Sequence, residues 1–468
     1  MIRRSLYFTA ILAGCAAVGP DYEPPQIETP DSFRDGSEES VLASELSSWW
    51  SAFGDATLTE LVEDVLARNL DVQVAVERIE EVRARFGVAR ADRLPTLDVT
   101  GSYSRTRPIL FPEPRTQNQW TAGGEFVWEL DLFGRVRRSV EAAGASLEAQ
   151  VEDLRAVQVL LAAETAATYL RILSISERLE IARRNVDAQR QSQLLATERF
   201  RAGIVAGLDP AQADVNLFSS RATVPALELA LRRDTHRLAV LAGRPPRALD
   251  SRLASVGDLP DVPGELLVGV PADLLRNRPD VRAAERRLAA QTARVGVATA
   301  ALYPAVNLSG TWDWLARTSN DVLGDGIETG AIGPLVSIPI FNGRRLRSNV
   351  EIEEAIVRQL AIALRQSLLI AQEEVENSLV AIVEDRRRAE LLTDASSAAE
   401  RSVGLSRELY TSGQASFQRV LDAQRSLFTL EDQVAQSRLD VLLDVVDLYR
   451  SLGGGWTAPE GTEPEEEP

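Results

Sequence analysis

Few residues in this chain could do covalent or metal chemistry. Among 468 residues there is one cysteine, Cys15, and one histidine, His236. A Cys/His zinc site and a disulfide framework each need more than that, and a Ser–His triad would have to rest on His236 alone. His236 falls in the helical run Ala226–Leu241 and reads as a surface imidazole. No nucleophile–base pair, metal cluster or phosphate-binding loop stands out, so the sequence does not support an enzyme and asks for no metal or diffusible cofactor. Cys15 is a different matter. Arg3 and Arg4 precede a short apolar run that ends Leu12-Ala13-Gly14-Cys15. Basic residues, an apolar stretch and small residues before a cleavage point mark a secretory signal. A cysteine at the first mature position marks a bacterial lipobox, in which the thiol and the new amino group are acylated. More than one acyl chain gives a stable anchor. A plain signal peptide that happens to hold a cysteine is the alternative. The chain's one cysteine stands at the one position the motif requires, which favours lipidation of Cys15.

The formal net charge of −18 argues against a nucleic-acid partner, because phosphate binding needs a basic surface. No run of about 18 apolar residues suggests a membrane-spanning helix. Attachment to a membrane must then come from lipid or from β-strands.

The elements that would position functional side chains are dominated by one rod. Arg135–Arg201 has no proline and one glycine, Gly144. Its residues are mostly good helix formers, and as one helix it would run about 100 Å at 1.5 Å per residue. Before it, residues 1–14 read as signal peptide and 15–56 as a lipidated extended arm. Thr57 and Glu60 suggest a capping box, and a second helix runs from Asn69 to about Leu94, before Pro95. Leu97, Val99, Gly101 and Tyr103 then alternate with polar residues, as do Phe126, Trp128, Leu130 and Leu132. This period of two predicts strands at about 96–107 and 119–132. After the rod, Asp209 and Pro210 open a return helix that Pro225 should kink or split.

The chain then repeats itself. Asp71, Gly87, Pro95 and Gly101 match Asp280, Gly296, Pro304 and Gly310, each 209 residues later. Strands are expected at about 305–316 and 331–340, and a second rod at Arg344–Thr411. The organisation is a first repeat at 57–246, a linker at 247–270, a second repeat at 271–452 and an acidic, disordered tail at 453–468. Such constancy of offset marks an internal duplication. In the second rod the apolar residues recur at close to 3.6, which favours nearly straight helices over a tight supercoil.

Each half reads helix, strand, strand, rod, return helix. The strands are long enough to cross a bilayer when tilted. Tyr103, Trp120, Trp128, Trp312 and Trp314 fall where an interfacial aromatic girdle would need them. Four strands cannot close a barrel, and lipid does not tolerate open edges. A membrane reading therefore requires oligomerisation, and three copies give twelve strands. The alternative is a pore-less periplasmic coiled-coil scaffold or adaptor lipoprotein, which accounts for the rods but not for the strands.

Several short motifs sharpen the choice: Cys15 with Val18-Gly19-Pro20-Asp21-Tyr22 and Pro25; Trp49-Trp50 with Phe53-Gly54-Asp55; Asn277-Arg278-Pro279-Asp280-Val281; Phe341-Asn342-Gly343-Arg344; and Val420 to Phe428. In this order and spacing the sequence resembles the TolC family of outer-membrane efflux ducts, in the lipoprotein branch similar to OprM and NodT. The resemblance implies a mixed, mainly α fold and a homotrimer. It implies a twelve-stranded outer-membrane β-barrel and a long α-helical barrel reaching into the periplasm. The implied function is the passive outer-membrane channel of a tripartite efflux system, with a periplasmic adaptor and an inner-membrane pump of the resistance-nodulation-division type. By the same resemblance the rod-to-return turns would dock the adaptor, through Arg201, Gly203 and Ala206 in the first and Thr411, Gly413 and Ser416 in the second. Asp422 matches an acidic gate position of the family. Arg419 stands where some members carry a second acid, so an Arg419–Asp422 ion pair at (i, i+3) is the expected substitute.

Overall fold

A computed structural model of the protein describes residues 17–25, 46–107, 116–254, 257–262, 272–321, 324 and 326–456. Cys15, the expected signal peptide and residues 457–468 lie outside them. The chain packs as two compact units, and its longest helices contribute to both.

In chain order the helices are α1 (Ala56–Arg68), α2 (Leu70–Ala91), α3 (Arg135–Arg201), α4 (Leu208–Leu241), α5 (Pro279–Ala300), α6 (Arg345–Thr411) and α7 (Phe417–Ser451). The strands are β1 (Thr96–Thr106), β2 (Gln117–Glu129), β3 (Ala305–Ala316) and β4 (Ile327–Ser337). α3 and α6 have 67 residues each. α4 continues through Pro225 as a single helix rather than splitting there.

The first unit contains Glu77–Glu152 and Arg282–Gln366, with the described residues of the N-terminal segment. Its strands form one antiparallel sheet in the order β1-β2-β3-β4. Beneath the sheet, helix approaches helix through polar contacts. Arg282 pairs with the buried Glu152 at 3.0 Å, and Gln291 donates to Glu353. Residues 17–22 form a strap across this unit. Val18 N donates to Phe133 O at 3.0 Å, and Arg138 Nη2 pairs with Asp21 at 2.6 Å. Gly19 has φ +95°, and a Cβ there would stand 2.5 Å from Gly296 Cα, so only glycine fits this approach.

The second unit contains Glu28–Val76, Asp153–Val281 and Ser367–Pro468 as far as they are described. Trp49–Phe53 is a 3-10 turn, not the end of an extended arm. Its aromatic rings are buried because Trp49 stacks on Tyr449 at 5.2 Å. α1 is capped by Asp55, whose Oδ1 accepts from Thr57 N and Leu58 N, in place of the expected Thr57–Glu60 box. Asp55 Oδ2 accepts from Tyr169 Oη at 2.8 Å, so the cap is held by the long helix behind it. Arg278 is buried among Asp280, Glu374 and the carbonyl of Ser451. The chain after α7 also belongs to this core: Gly453, Gly454 and Gly455 are buried, and Arg155 lies 4.4 Å over the Trp456 ring. Residues 453–456 are therefore not part of the expected disordered tail, whose remainder lies outside the described residues.

Two element-end expectations are corrected. β4 spans Ile327–Ser337, so Ile338 and Ile340 lie beyond it. Its register fixes this, because Ser337 opposes Ala305, the first residue of β3. Pro339 follows and has no N–H to extend a ladder. α2 likewise ends at Ala91, three residues before the expected Leu94.

A two-faced sheet and two paired hairpin tips

The register sorts the sheet's side chains into two faces. Tyr103 opposes Trp120, and Trp120 opposes Ala316. Below them come Gly101, Ala122, Trp314 and Glu328, then Val99, Gly124, Trp312 and Gly330, then Leu97, Phe126, Gly310 and Ile332. Trp128, Leu308 and Pro334 form a lower rung. One face is thus largely apolar, with aromatics at both ends and Trp312, Trp314 and Phe126 set among aliphatic and small residues between them. Eight residues separate Trp120 from Trp128 along β2, about 26 Å at 3.3 Å per residue, close to the apolar band of a membrane barrel. Tyr103 and Trp120 touch at 4.6 Å, and Trp312 and Trp314 at 5.2 Å. Leu97, Val99, Ile332 and Val336 are exposed on this face, and nothing among the described residues covers them. The opposite face carries Thr96, Asp98, Thr100, Ser102, Glu125, Asn307, Ser309, Thr311 and Asp313. Among the described residues β1 and β4 each pair on one side only, so both edges of the sheet are open there.

In the second unit the two rod-to-return turns are built alike. After α3, Gly203 N donates to Phe200 O and Ile204 N to Arg199 O. After α6, Gly413 N donates to Tyr410 O and Gln414 N to Leu409 O. This is the Schellman pattern, which needs a left-handed residue after the helix. Gly203 and Gly413 supply it at φ +75° and +78°. All six residues expected at the tips, Arg201, Gly203, Ala206, Thr411, Gly413 and Ser416, are exposed.

The gate residues are arranged otherwise than expected. Both are exposed, but Arg419 does not pair with Asp422 within the chain. Asp422 accepts from Gln418 Nε2 at 2.9 Å and has Arg425 at 3.8 Å. Arg419, at i−3, lies on the same helical face, and nothing in the structure explains why Gln418 and Arg425 are the partners instead. The contacts joining the two hairpins are ones that sequence reasoning missed. Arg199 Nη1 donates to the carbonyls of Tyr410 and Thr411 at 3.3 Å, where the C-terminal end of α6 carries partial negative charge. Its guanidinium lies 4.7 Å over the Tyr410 ring. Tyr410 Oη donates to Asp209 at 3.3 Å, and burial together with that carboxylate pushes the phenol pKa up. Tyr410 also packs with Phe417, Val420, Leu421, Ala196 and Ala213. Deeper in, Ser192 and Gln424 bond each other while buried. The sequence marked Tyr410 and Asp209 only as a helix end and a helix start, because partners about 200 residues away leave no local pattern.

A sequence profile of the outer membrane efflux protein family matches residues 61–244 and 270–454, one stretch in each half of the chain. The chain belongs to the outer membrane efflux protein family. It is 33% identical over 452 residues to Nodulation protein T of Rhizobium leguminosarum bv. trifolii, covering 96% of each chain. It is 29% identical to the solvent efflux pump outer membrane protein SrpC of Pseudomonas putida, over 97% of this chain and 98% of that one. The solved structure of the outer-membrane channel OprN superposes with a TM-score of 0.88 and 34% identity, over 94% of this chain and 100% of that one. Of these, OprN is an outer-membrane channel and SrpC is the outer membrane protein of a solvent efflux pump. This outer membrane efflux protein has the TolC-like duplicated fold: two strands and two long helices per half, as the repeat implied.

Proposed function

We propose that three copies of this protein join sheet edge to sheet edge into a twelve-stranded barrel, and that the long helices line the duct that continues from it. The observation that carries this reading is the sheet itself. It has one apolar face, one polar face and an unpaired strand at each side. Open edges in hydrocarbon leave backbone groups unsatisfied at several kcal/mol each, and closure with further copies removes them. The exposed tips, each fixed by a Schellman glycine, are where a periplasmic adaptor docks. The adaptor connects the duct to an inner-membrane pump of the resistance-nodulation-division type, and the duct conducts passively. Arg199, Tyr410 and Asp209 tie the two hairpins of one protomer together, and opening the tips requires separating them. Asp422 and Arg419, both exposed, are free to face a neighbouring protomer. Lipid on Cys15 fits the strap: Ala17 packs so closely on Gly134 that a Cβ there would stand 2.5 Å from it. The chain two residues beyond Cys15 is thereby held beside the corner where β2 hands over to α3.

Native mass spectrometry of the full-length protein, extracted in neutral detergent, tests the assembly. A trimer that also forms ion-conducting channels in planar bilayers is expected. A stable monomer or dimer without channel activity overturns the duct.

A further inference from the structure

The apolar face of the sheet is not flat. Because Gly124 and Gly310 have no side chains, a groove of about 540 Å³ opens between Leu97, Val99 and Phe126 on one side and Trp312, Trp314 and Ile332 on the other. Its upper end is the aromatic pair Tyr103 and Trp120. Two residues beyond Tyr103, on the same face of β1, is Arg105, opposite Asn118. Tyr103 Oη donates to Asn118 at 3.2 Å, which places Asn118, and so the Arg105 position, on this face. Arg107 follows at the next same-face position. Arg317 follows Ala316, the register partner of Trp120. Arg105 and Arg107 therefore continue the apolar face beyond its aromatic pair, and Arg317, just past the end of β3, lies at the same end of the sheet.

All three are exposed. Among the described residues none of their guanidiniums has an ion-pair or hydrogen-bond partner. The described acids at this end are engaged elsewhere: Glu328 accepts from Trp312 Nε1 at 2.7 Å and Asp321 from Thr318 Oγ1 at 2.6 Å. At the other end of the sheet the arrangement is the opposite, since Arg135 is paired with Glu129 and Arg137 with Asp131. Free guanidiniums above an aromatic girdle suit a phosphate, which they bind through paired N–H groups. From the Trp314 rung to Arg105 is four residues along β1, about 13 Å, which is the room for a sugar headgroup above an acyl chain.

We propose that the groove and its arginine rim form one binding site for a phosphorylated glycolipid of the membrane's outer leaflet. An acyl chain lies against Leu97, Val99, Gly124 and Phe126, and a headgroup phosphate is held by Arg105, Arg107 and Arg317. The proposal rests on the duct reading, which sets the apolar face in lipid and this end of the sheet outermost.

Native mass spectrometry of the purified full-length protein tests it with three probes: a diphosphorylated, hexa-acylated glucosamine disaccharide, its dephosphorylated form, and phosphatidylglycerol. The diphosphorylated glycolipid is expected to be retained about tenfold or more better than the other two. Combined Arg105→Gln, Arg107→Gln and Arg317→Gln is expected to erase that preference. Gly124→Leu is expected to weaken retention of both glycolipids by filling the groove, and it is tolerated locally because a Cβ there meets nothing nearer than 3.7 Å. Equal retention of the two glycolipids, equal retention of phosphatidylglycerol, or a preference that survives the triple substitution overturns the site. Fractionation separates this from the larger reading. A trimer in the outer membrane without phosphate preference sinks only the lipid site, whereas a protein absent from that membrane sinks the duct and the site together.

Discussion

Asp444 is held among like charges. On α7 it has Asp440 and Asp447 as same-face neighbours, and Asp385 of α6 faces it. Its Oδ2 is buried. Burial first, and then the Asp385 carboxylate, push its pKa from 3.8 up to about 7. Arg388 is the compensating cation here, at 3.6 Å from Asp385 and 3.4 Å from Asp440. The native state therefore holds a proton on Asp444 that the unfolded chain releases. The stability this provides is present in full below pH 3.8 and is lost as the pH rises through about 7. Asp444→Asn removes the charge without removing the shape. Its thermal melting point should exceed that of the native protein at pH 8, and the gain should shrink towards zero near pH 4. An equal gain at both pH values would show that the charge is not the cause. The spacing of Asp440, Asp444 and Asp447 could be read along one helix. Asp385, 59 residues earlier, could not, and it is what turns an acidic stripe into a strained pair. The same limit explains the gate: Asp422 was legible as an exposed acid, while Arg199 and Tyr410 acquire a role only once two hairpins are brought together.

Glycines divide into two kinds at the scale of elements, and the division predicts opposite outcomes. Gly413 sits at φ +78° in open space, so its replacement meets no clash but forces an L-residue into the left-handed region. That costs about 1–2 kcal/mol. Gly404 lies inside α6 with ordinary helical backbone and also nothing within 4 Å. There alanine should gain about 0.5–1 kcal/mol. Thermal denaturation of Gly413→Ala and Gly404→Ala should therefore move in opposite directions, and a shift of the same sign in both would refute the assignment of the tip. The repeat made both tips legible, because Gly203 and Gly413 stand 210 residues apart with identical hydrogen bonds around them. The strand landmarks, at 209, were off by one residue. That residue is absorbed between β4 and α6, where Arg344 adopts φ +66° and α6 starts one position late relative to α3. Period-two alternation located the strands, but it could not locate the end of β4: Ile338 and Ile340 continue the pattern, and only pairing with β3 ends it at Ser337.

Two independent attachments to the membrane are proposed for the molecule as a whole. One is the sheet, whose apolar face and open edges need lipid and further copies. The other is the chain before the strap, legible in the sequence as Leu12-Ala13-Gly14-Cys15. The strap explains how the second serves the first. Val18 is bonded to Phe133, Arg138 holds Asp21 and the carbonyls of Val18 and Gly19, and Tyr22 bonds Glu285 at 3.2 Å. An anchor on Cys15 is thus tied through a few residues to the first unit, where the sheet is. The attachments differ in what each can supply. Acyl chains hold the protein at a membrane surface, whereas only the closed sheet satisfies its own backbone inside one. Cys15→Ser should therefore abolish incorporation of labelled palmitate, while the protein still assembles as a trimer that sediments with outer membranes. Palmitate incorporation at the native level in that variant would refute lipidation at Cys15. Loss of both trimer and membrane fraction would show that the lipid, and not the sheet, drives assembly.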